Sequence, residues 1–156
     1  MQVPLRFVFS ELIMGRGFIA RVETIGSALF TDESGDPWIH GVKPGCFAGG
    51  GPTSGDAFWS FHLGYRSVLY DLANDCMTFE ELEQRIHAFA NSVNEPYETE
   101  YKDSLTKVQR EEMEALELVS MSEQTLSPST TVTLVSVHEA TPTANALPSY
   151  FASFLS

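Results

Sequence analysis

Asp32-Glu33-Ser34-Gly35-Asp36-Pro37-Trp38-Ile39-His40-Gly41-Val42-Lys43-Pro44-Gly45-Cys46-Phe47-Ala48-Gly49-Gly50-Gly51-Pro52-Thr53-Ser54-Gly55-Asp56-Ala57 holds two chain reversals and the opening of a helix. The first six residues are a turn cluster between the apolar runs Ala28–Thr31 and Trp38–Val42. Gly35 supplies a positive φ there and Pro37 fixes the start of the next strand, so a β-hairpin is predicted. Pro44-Gly45-Cys46 is the second reversal. The glycines beyond it leave room for an edge strand at most. Thr53 or Ser54 then caps a helix, with Asp56 in its first turn favourable to the helix dipole and Ala57 beside it.

Upstream, apolar residues alternate rather than recur at helical spacing. Leu5, Phe7 and Phe9 share one face of Val3–Phe9, Gly15-Arg16-Gly17 breaks the run, and Phe18, Ala20 and Val22 alternate within Phe18–Ile25. Downstream, Phe58, Phe61, Tyr65, Val68, Leu69 and Leu72 predict a long amphipathic helix from Ser54 to Asn74. Thr78-Phe79-Glu80-Glu81 is a capping box, in which the Glu81 carboxylate is expected to return to the Thr78 amide. The stripe Leu82, Ile86, Phe89, Val93 carries a second helix over 79–92. The short link Asp75-Cys76-Met77 makes the two helices neighbours. The segment 94–103, with Pro96 and two tyrosines, reads as a connector. A third, acidic helix is predicted over 104–120, and a β-branched strand over 131–138 that returns to the sheet. Residues 141–156 read as a C-terminal tail.

These elements predict a single α+β domain over 1–140: an antiparallel sheet of three to five strands with two helices packed on one face. With 156 residues, 43% hydrophobic and eleven Phe, the chain carries enough apolar material for one core. The charge is 9 basic against 21 acidic residues, −12 in total. Residues 1–50 hold four basic and five acidic side chains, and the remainder holds five and sixteen. No Lys or Arg follows Arg110, which argues against a C-terminal element that neutralises several phosphates. Two cysteines without a C-x-x-C pair suggest neither a disulfide scaffold nor a structural zinc site, so reduced thiols are expected. The N-terminus lacks a leader pattern and no window is apolar enough to span a membrane, from which a cytoplasmic location is expected.

The glycine run before the helix is not a phosphate loop. It lacks the closing Gly-Lys-Ser/Thr, and Asp56 would repel the anion. Cys46 is a conceivable nucleophile with His40 or His62 as its base, but a small thiol after a Pro-Gly turn is more commonly apolar filler. No metal-ligand spacing links His40, Cys46 and His62, and no metal or cofactor is expected. His62 and His87 are expected to be partly buried, hydrogen-bonded helix residues. The run from Glu95 to Glu123 has nine carboxylates against three basic residues, a solvated face or a docking surface for a basic partner.

Residues 25–75 resemble the HicB-type antitoxin domain, in Gly35 of the hairpin turn, Pro44-Gly45-Cys46, Gly51 and Thr53 before the helix, and Asp56-Ala57 in its first turn. The resemblance implies a β-β-β-α-β core of the kind seen in double-stranded-RNA-binding domains. It also implies binding to a small basic toxin that cleaves RNA, and assembly as dimers or tetramers. A C-terminal DNA-binding segment, usual in that family, has no counterpart in the basic-free end, so direct nucleic-acid contact is not expected. The function expected is therefore non-catalytic: antitoxin-like binding of a basic protein, with homo-oligomerisation. Trp38, Phe47, Trp59, Glu111, Glu112 and Glu114 are the candidate contact residues. Trp59 lies off the apolar stripe, where an outward indole is a common interface anchor. Two alternatives are a small-ligand-binding domain using the Gly-rich turn and a Cys46-dependent hydrolase.

Overall fold

The computed structural model of the chain describes residues 1–115 and 128–137. Its eight elements, in chain order, are β1 (Gln2–Met14), β2 (Phe18–Glu33), β3 (Asp36–Lys43), β4 (Ala48–Gly50), α1 (Ser54–Asp75), α2 (Phe79–Ala90), α3 (Glu95–Ala115) and β5 (Ser129–Val137). The strands form one curled antiparallel sheet in the order β1-β2-β3-β4, and β5 joins β2 beside the end of β3. The long β2 is thus shared on one edge. Its first half, Phe18 to Ile25, pairs with β5, and its second half, Ser27 to Glu33, pairs with β3.

The α+β class, the hairpin and the returning last strand agree with the sequence. Ser34 and Gly35, at φ 59° and 77°, form the two-residue loop between the paired Glu33 and Asp36, the left-handed pair that suits the twist of a hairpin. Several boundaries differ. Phe18–Ile25 and Ala28–Thr31 are one continuous strand, because Gly26-Ser27 stays in the ladder. The register shift there is absorbed on β3, where Val42 is the extra residue. The first strand runs on to Met14, so Glu11 faces inward in line with Leu5, Phe7, Phe9 and Ile13.

One face of the sheet carries α1 and α2. On α1 the buried stripe is Ala57, Phe61, Tyr65, Leu69 and Ala73, strictly four residues apart, and Phe58 lies off it at 44% exposure. Aromatic rings fill the layer between: Phe7 meets Phe61 edge-on with centroids 5.1 Å apart, and Phe47 stacks on Phe61 at 4.4 Å. Leu82, Ile86 and Phe89 of α2 complete the same core, while His87 is exposed rather than partly buried. Both helices start at predicted caps, where Thr53 Oγ1 accepts from the Asp56 amide at 3.1 Å and Thr78 Oγ1 from the Glu81 amide at 3.1 Å. The Glu81 carboxylate accepts from the Met77 amide rather than from that of Thr78.

The opposite face corrects both the two-helix picture and the 94–103 connector. That segment is the beginning of α3, which opens at Glu95 behind Asn94; the Asn94 carbonyl accepts from the Glu98 amide at 2.8 Å. Pro96 sits in the first turn, where its missing N–H costs nothing. Tyr97, Tyr101 and Leu105, four apart, pack on Leu29 and Val42, which point away from the main core. Residues 116–120 of the predicted third helix, His138 of the predicted strand and the tail 141–156 lie outside the described residues.

Candidate protein-interaction site

Of the motif residues, Gly35, Gly51, Thr53, Asp56 and Ala57 lie toward the hairpin end of β3, and Pro44, Gly45 and Cys46 lie at its other end. Between the β2–β3 hairpin and the start of α1 lies an open groove of about 510 Å³. Leu5, Phe30, Ile39 and Phe58 are among its apolar walls, Thr53 and Ser54 bring the first turn of α1 to its rim, and Gly35 and Asp32 close the hairpin side. Asp32 projects toward the helical layer because it shares the face of Ala28 and Phe30 on β2. Its Oδ1 is shielded from solvent and accepts no hydrogen bond from the described residues. A shielded carboxylate oxygen without a donor is costly, and a cation supplied from outside would relieve it. Glu33, Asp36 and Asp56, all exposed, add negative charge around the same end.

Local packing explains the glycines and the cap that shape this end. A Cβ on Gly49 of β4 would lie 2.2 Å from the Phe61 backbone nitrogen, and one on Gly51 would lie 2.6 Å from Asp56 Cβ. Any side chain there would push α1 off the sheet edge. Asp56 is held by Thr53, whose hydroxyl donates to the Asp56 carboxylate at 2.8 Å. Ala57 is fully buried beneath the first turn.

The predicted contact residues do not form one patch. Trp38 is 41% exposed but stands on the α3 face, its indole N–H donating to Asp36 at 3.3 Å and its ring 6.0 Å from His40. His40 in turn stacks on Tyr97 at 4.3 Å. Burial holds the His40 pKa below the ordinary value of 6.5, with Glu100 opposing. Phe47 is half-buried against Phe61, and Trp59 is 56% exposed. Glu111, Glu112 and Glu114 fall in the last turns of α3, and their side chains lie outside the described residues.

Cys46 is exposed rather than filler, with Ser92 Oγ 3.7 Å from its sulfur. Neither candidate base is hydrogen-bonded to it: His40 belongs to the stack on the α3 face, and His62 Nε2 meets Glu11 Oε1 at 2.7 Å on the α1 face. Pro44 is buried, and the Gly45 amide donates to the Ser92 carbonyl at 3.0 Å, which ties this turn to the end of α2.

Sequence reasoning missed the Glu11 cluster. Glu11 is 9% exposed, receives His62, and has Arg66 Nε 3.2 Å from its second oxygen, off the hydrogen-bond direction. The His62 ring also stacks on Phe9 at 4.2 Å, which pins α1 to β1. An acid in register with Leu5, Phe7, Phe9 and Ile13 was the readable signal. Nearby, Tyr65 and Thr24 share a buried hydrogen bond of 2.7 Å, and burial pushes the phenol up to about 12. Among the described residues, no three His, Cys, Asp or Glu side chains gather as a metal site, and no helix is long and apolar enough to cross a membrane. Comparisons with protein-family profiles, curated proteins and solved structures find no match to this chain.

Proposed function

We propose that the chain is a non-catalytic protein-binding domain, HicB-like and antitoxin-like in type, that engages a basic protein partner and self-associates. The observation that carries the reading is the groove at the start of α1, apolar in its walls and holding a carboxylate oxygen of Asp32 without a donor among the described residues. A lysine or arginine flanked by apolar side chains fits both properties. The succession β2-β3-β4-α1, with β5 returning to β2, supports the resemblance to a β-β-β-α-β core. The contact region in this reading is the hairpin and helix N-terminus, where Gly35, Thr53 and Asp56 lie.

A short alternating Lys-Leu peptide, titrated calorimetrically, tests the reading. It is expected to bind more weakly as salt rises, to lose about tenfold in affinity against Asp32→Asn, and to outcompete a Glu-Leu peptide of equal length. Equal binding of the two peptides, or none of either, rejects a cation-selective groove. The groove's size also favours a second reading, a small apolar cation as ligand. Thermal-shift screening with alkylammonium ions distinguishes it, since such ions would stabilise the wild type and not Asp32→Asn.

A further inference from the structure

β3 and β5 share one edge of β2 without meeting. β3 ends with Lys43 opposite Ser27, β5 begins with Ser129 opposite Ile25, and Gly26 stands between the two pairings. A partly enclosed cavity of about 190 Å³ opens at this junction, between the ends of the two strands and the last turn of α2. Lys43, Ser129 and Thr130 line it from the sheet, and His87 and Asn91 line it from the helix end. No carboxylate is among its lining residues, in a chain whose net charge is −12. The end of α2 repels an anion less than a bare helix C-terminus would, because the His87 and Phe89 carbonyls already accept from the Asn91 and Ser92 amides, both at 3.0 Å.

The sheet register brings a second cation to this junction. Arg6 of β1 and Lys43 of β3 are both paired with Ser27, so the three stand in one row across three strands. Ser27 is two residues before Leu29, which packs under α3, and the row therefore lies on the α3 face of the sheet. Ser27 is buried, and Arg6 and Lys43 are half-buried. The Arg6 Nη1 is shielded from solvent and finds no acceptor among the described residues, where neither cation forms an ion pair. A shielded donor on a cation is costly unless an acceptor reaches it. Burial pushes the Tyr101 phenol above its ordinary value of 10.0, with Arg6 opposing, so Tyr101 keeps its proton near that guanidinium and adds a donor. The acids around this row are engaged or distant. On α3, Glu98 pairs with Lys102 at 3.5 Å, Glu100 accepts from Gln2 at 3.3 Å, and Asp103 is exposed. On the same face of β2 the next acid is Glu23, about 13 Å along the strand from Ser27.

We infer that the junction of β3 and β5 is a binding site for a compact phosphate group, taken up as inorganic phosphate or as a small phosphomonoester. Lys43 and Arg6 supply the charge, and Asn91 and Ser129 supply neutral donors. The acceptor oxygens of a phosphate point in several directions, which suits donors spread over sheet and helix, whereas those of a carboxylate lie in one plane. The volume is below that of a pocket for a drug-sized molecule, so the ligand is a phosphate carrying few further atoms. The site is independent of the partner groove, which lies at the other end of β3.

Calorimetric titration of the full chain at constant ionic strength tests the site, with inorganic phosphate and glycerol phosphate as probes and acetate as the comparison anion. Saturable one-to-one binding of at least one phosphate below about 10 mM is expected, with acetate at least about tenfold weaker. The tighter of the two phosphates identifies the source, free ion or ester. Lys43→Gln and Arg6→Gln are each expected to cost about tenfold or more, and Lys107→Gln, exposed on α3, to leave binding unchanged. Thermal melts identify a variant that has not folded; if Arg6→Gln is one, Lys43→Gln decides alone. No saturation by about 10 mM overturns the site. So does binding that acetate matches, that survives Lys43→Gln or a folded Arg6→Gln, or that falls equally in Lys107→Gln, each of which marks an adventitious ion only.

Discussion

His40 shows how one residue ties the sheet to α3. Its half-buried ring stacks with Trp38 and Tyr97, and desolvation favours the neutral imidazole in the folded chain. The folded pKa lies below 6.5, so this contribution to stability is full above pH 6.5 and is lost as pH falls below it toward the folded value. Glu100 opposes the shift and narrows the window. His40→Phe keeps a flat ring between the two aromatics and removes the titration. Denaturant midpoints measured from pH 7.5 downward, the conditions being set around about 6.5, should fall more steeply in the wild type than in His40→Phe between neutrality and the onset of carboxylate protonation. Identical slopes would mean that the stack tolerates the imidazolium. Glu11 is the second residue of consequence, because the same carboxylate positions the imidazole of His62 and the guanidinium of Arg66 and so fixes α1 against β1.

Among elements, the β2–β3 hairpin carries a local strain that can be relieved. Ser34 has a φ of 59°, which a residue with a Cβ adopts at a cost, and its side chain makes no hydrogen bond among the described residues. Ser34→Gly should therefore raise stability by roughly 0.5 kcal/mol, and Ser34→Val should lower it by roughly 1–2 kcal/mol, in urea melts. A neutral outcome for both would show that the loop is free to change type. This hairpin, α1 and α2 were legible in sequence because each announces itself twice, by periodicity and by a turn or cap: Gly35 with Pro37, Thr53 with Asp56, Thr78 with Glu81. The beginning of α3 was not. Its tyrosines repeat every four residues, but Pro96 resembles a break unless the capping Asn94 is recognised, and the face they cover, Leu29 and Val42, is found only after the sheet is built. The site divides in the same way. Gly35, Thr53 and Asp56 flank the groove as local signals, whereas Asp32 reads as one more turn residue because its shielded oxygen depends on residues far along the chain.

For the whole molecule, the separation of charge parallels the architecture. The strand-rich first 50 residues are nearly neutral and supply four of the five described strands of the sheet, and the acidic surplus lies in residues 51–156. The two faces of the sheet are covered unequally, α1 and α2 enclosing the larger core and α3 a smaller one. The arrangement on β2 also dictates an order of assembly. β1, β2 and β3 are joined by hairpins and can pair as soon as they leave the ribosome, but the Phe18–Ile25 edge waits for β5, and Thr24 meets Thr130 across 106 residues of chain. Such distant pairing is slow because loop closure precedes any gain. Pulsed hydrogen exchange during refolding should protect the Asp36–Lys43 amides before those of Ser129–Val137, and simultaneous protection would mean one cooperative step. A nascent chain consequently passes through an interval in which its longest strand is bare along half of one side. In that interval the growing polypeptide depends on dilution, or on a chaperone, to avoid joining its neighbours on the polysome.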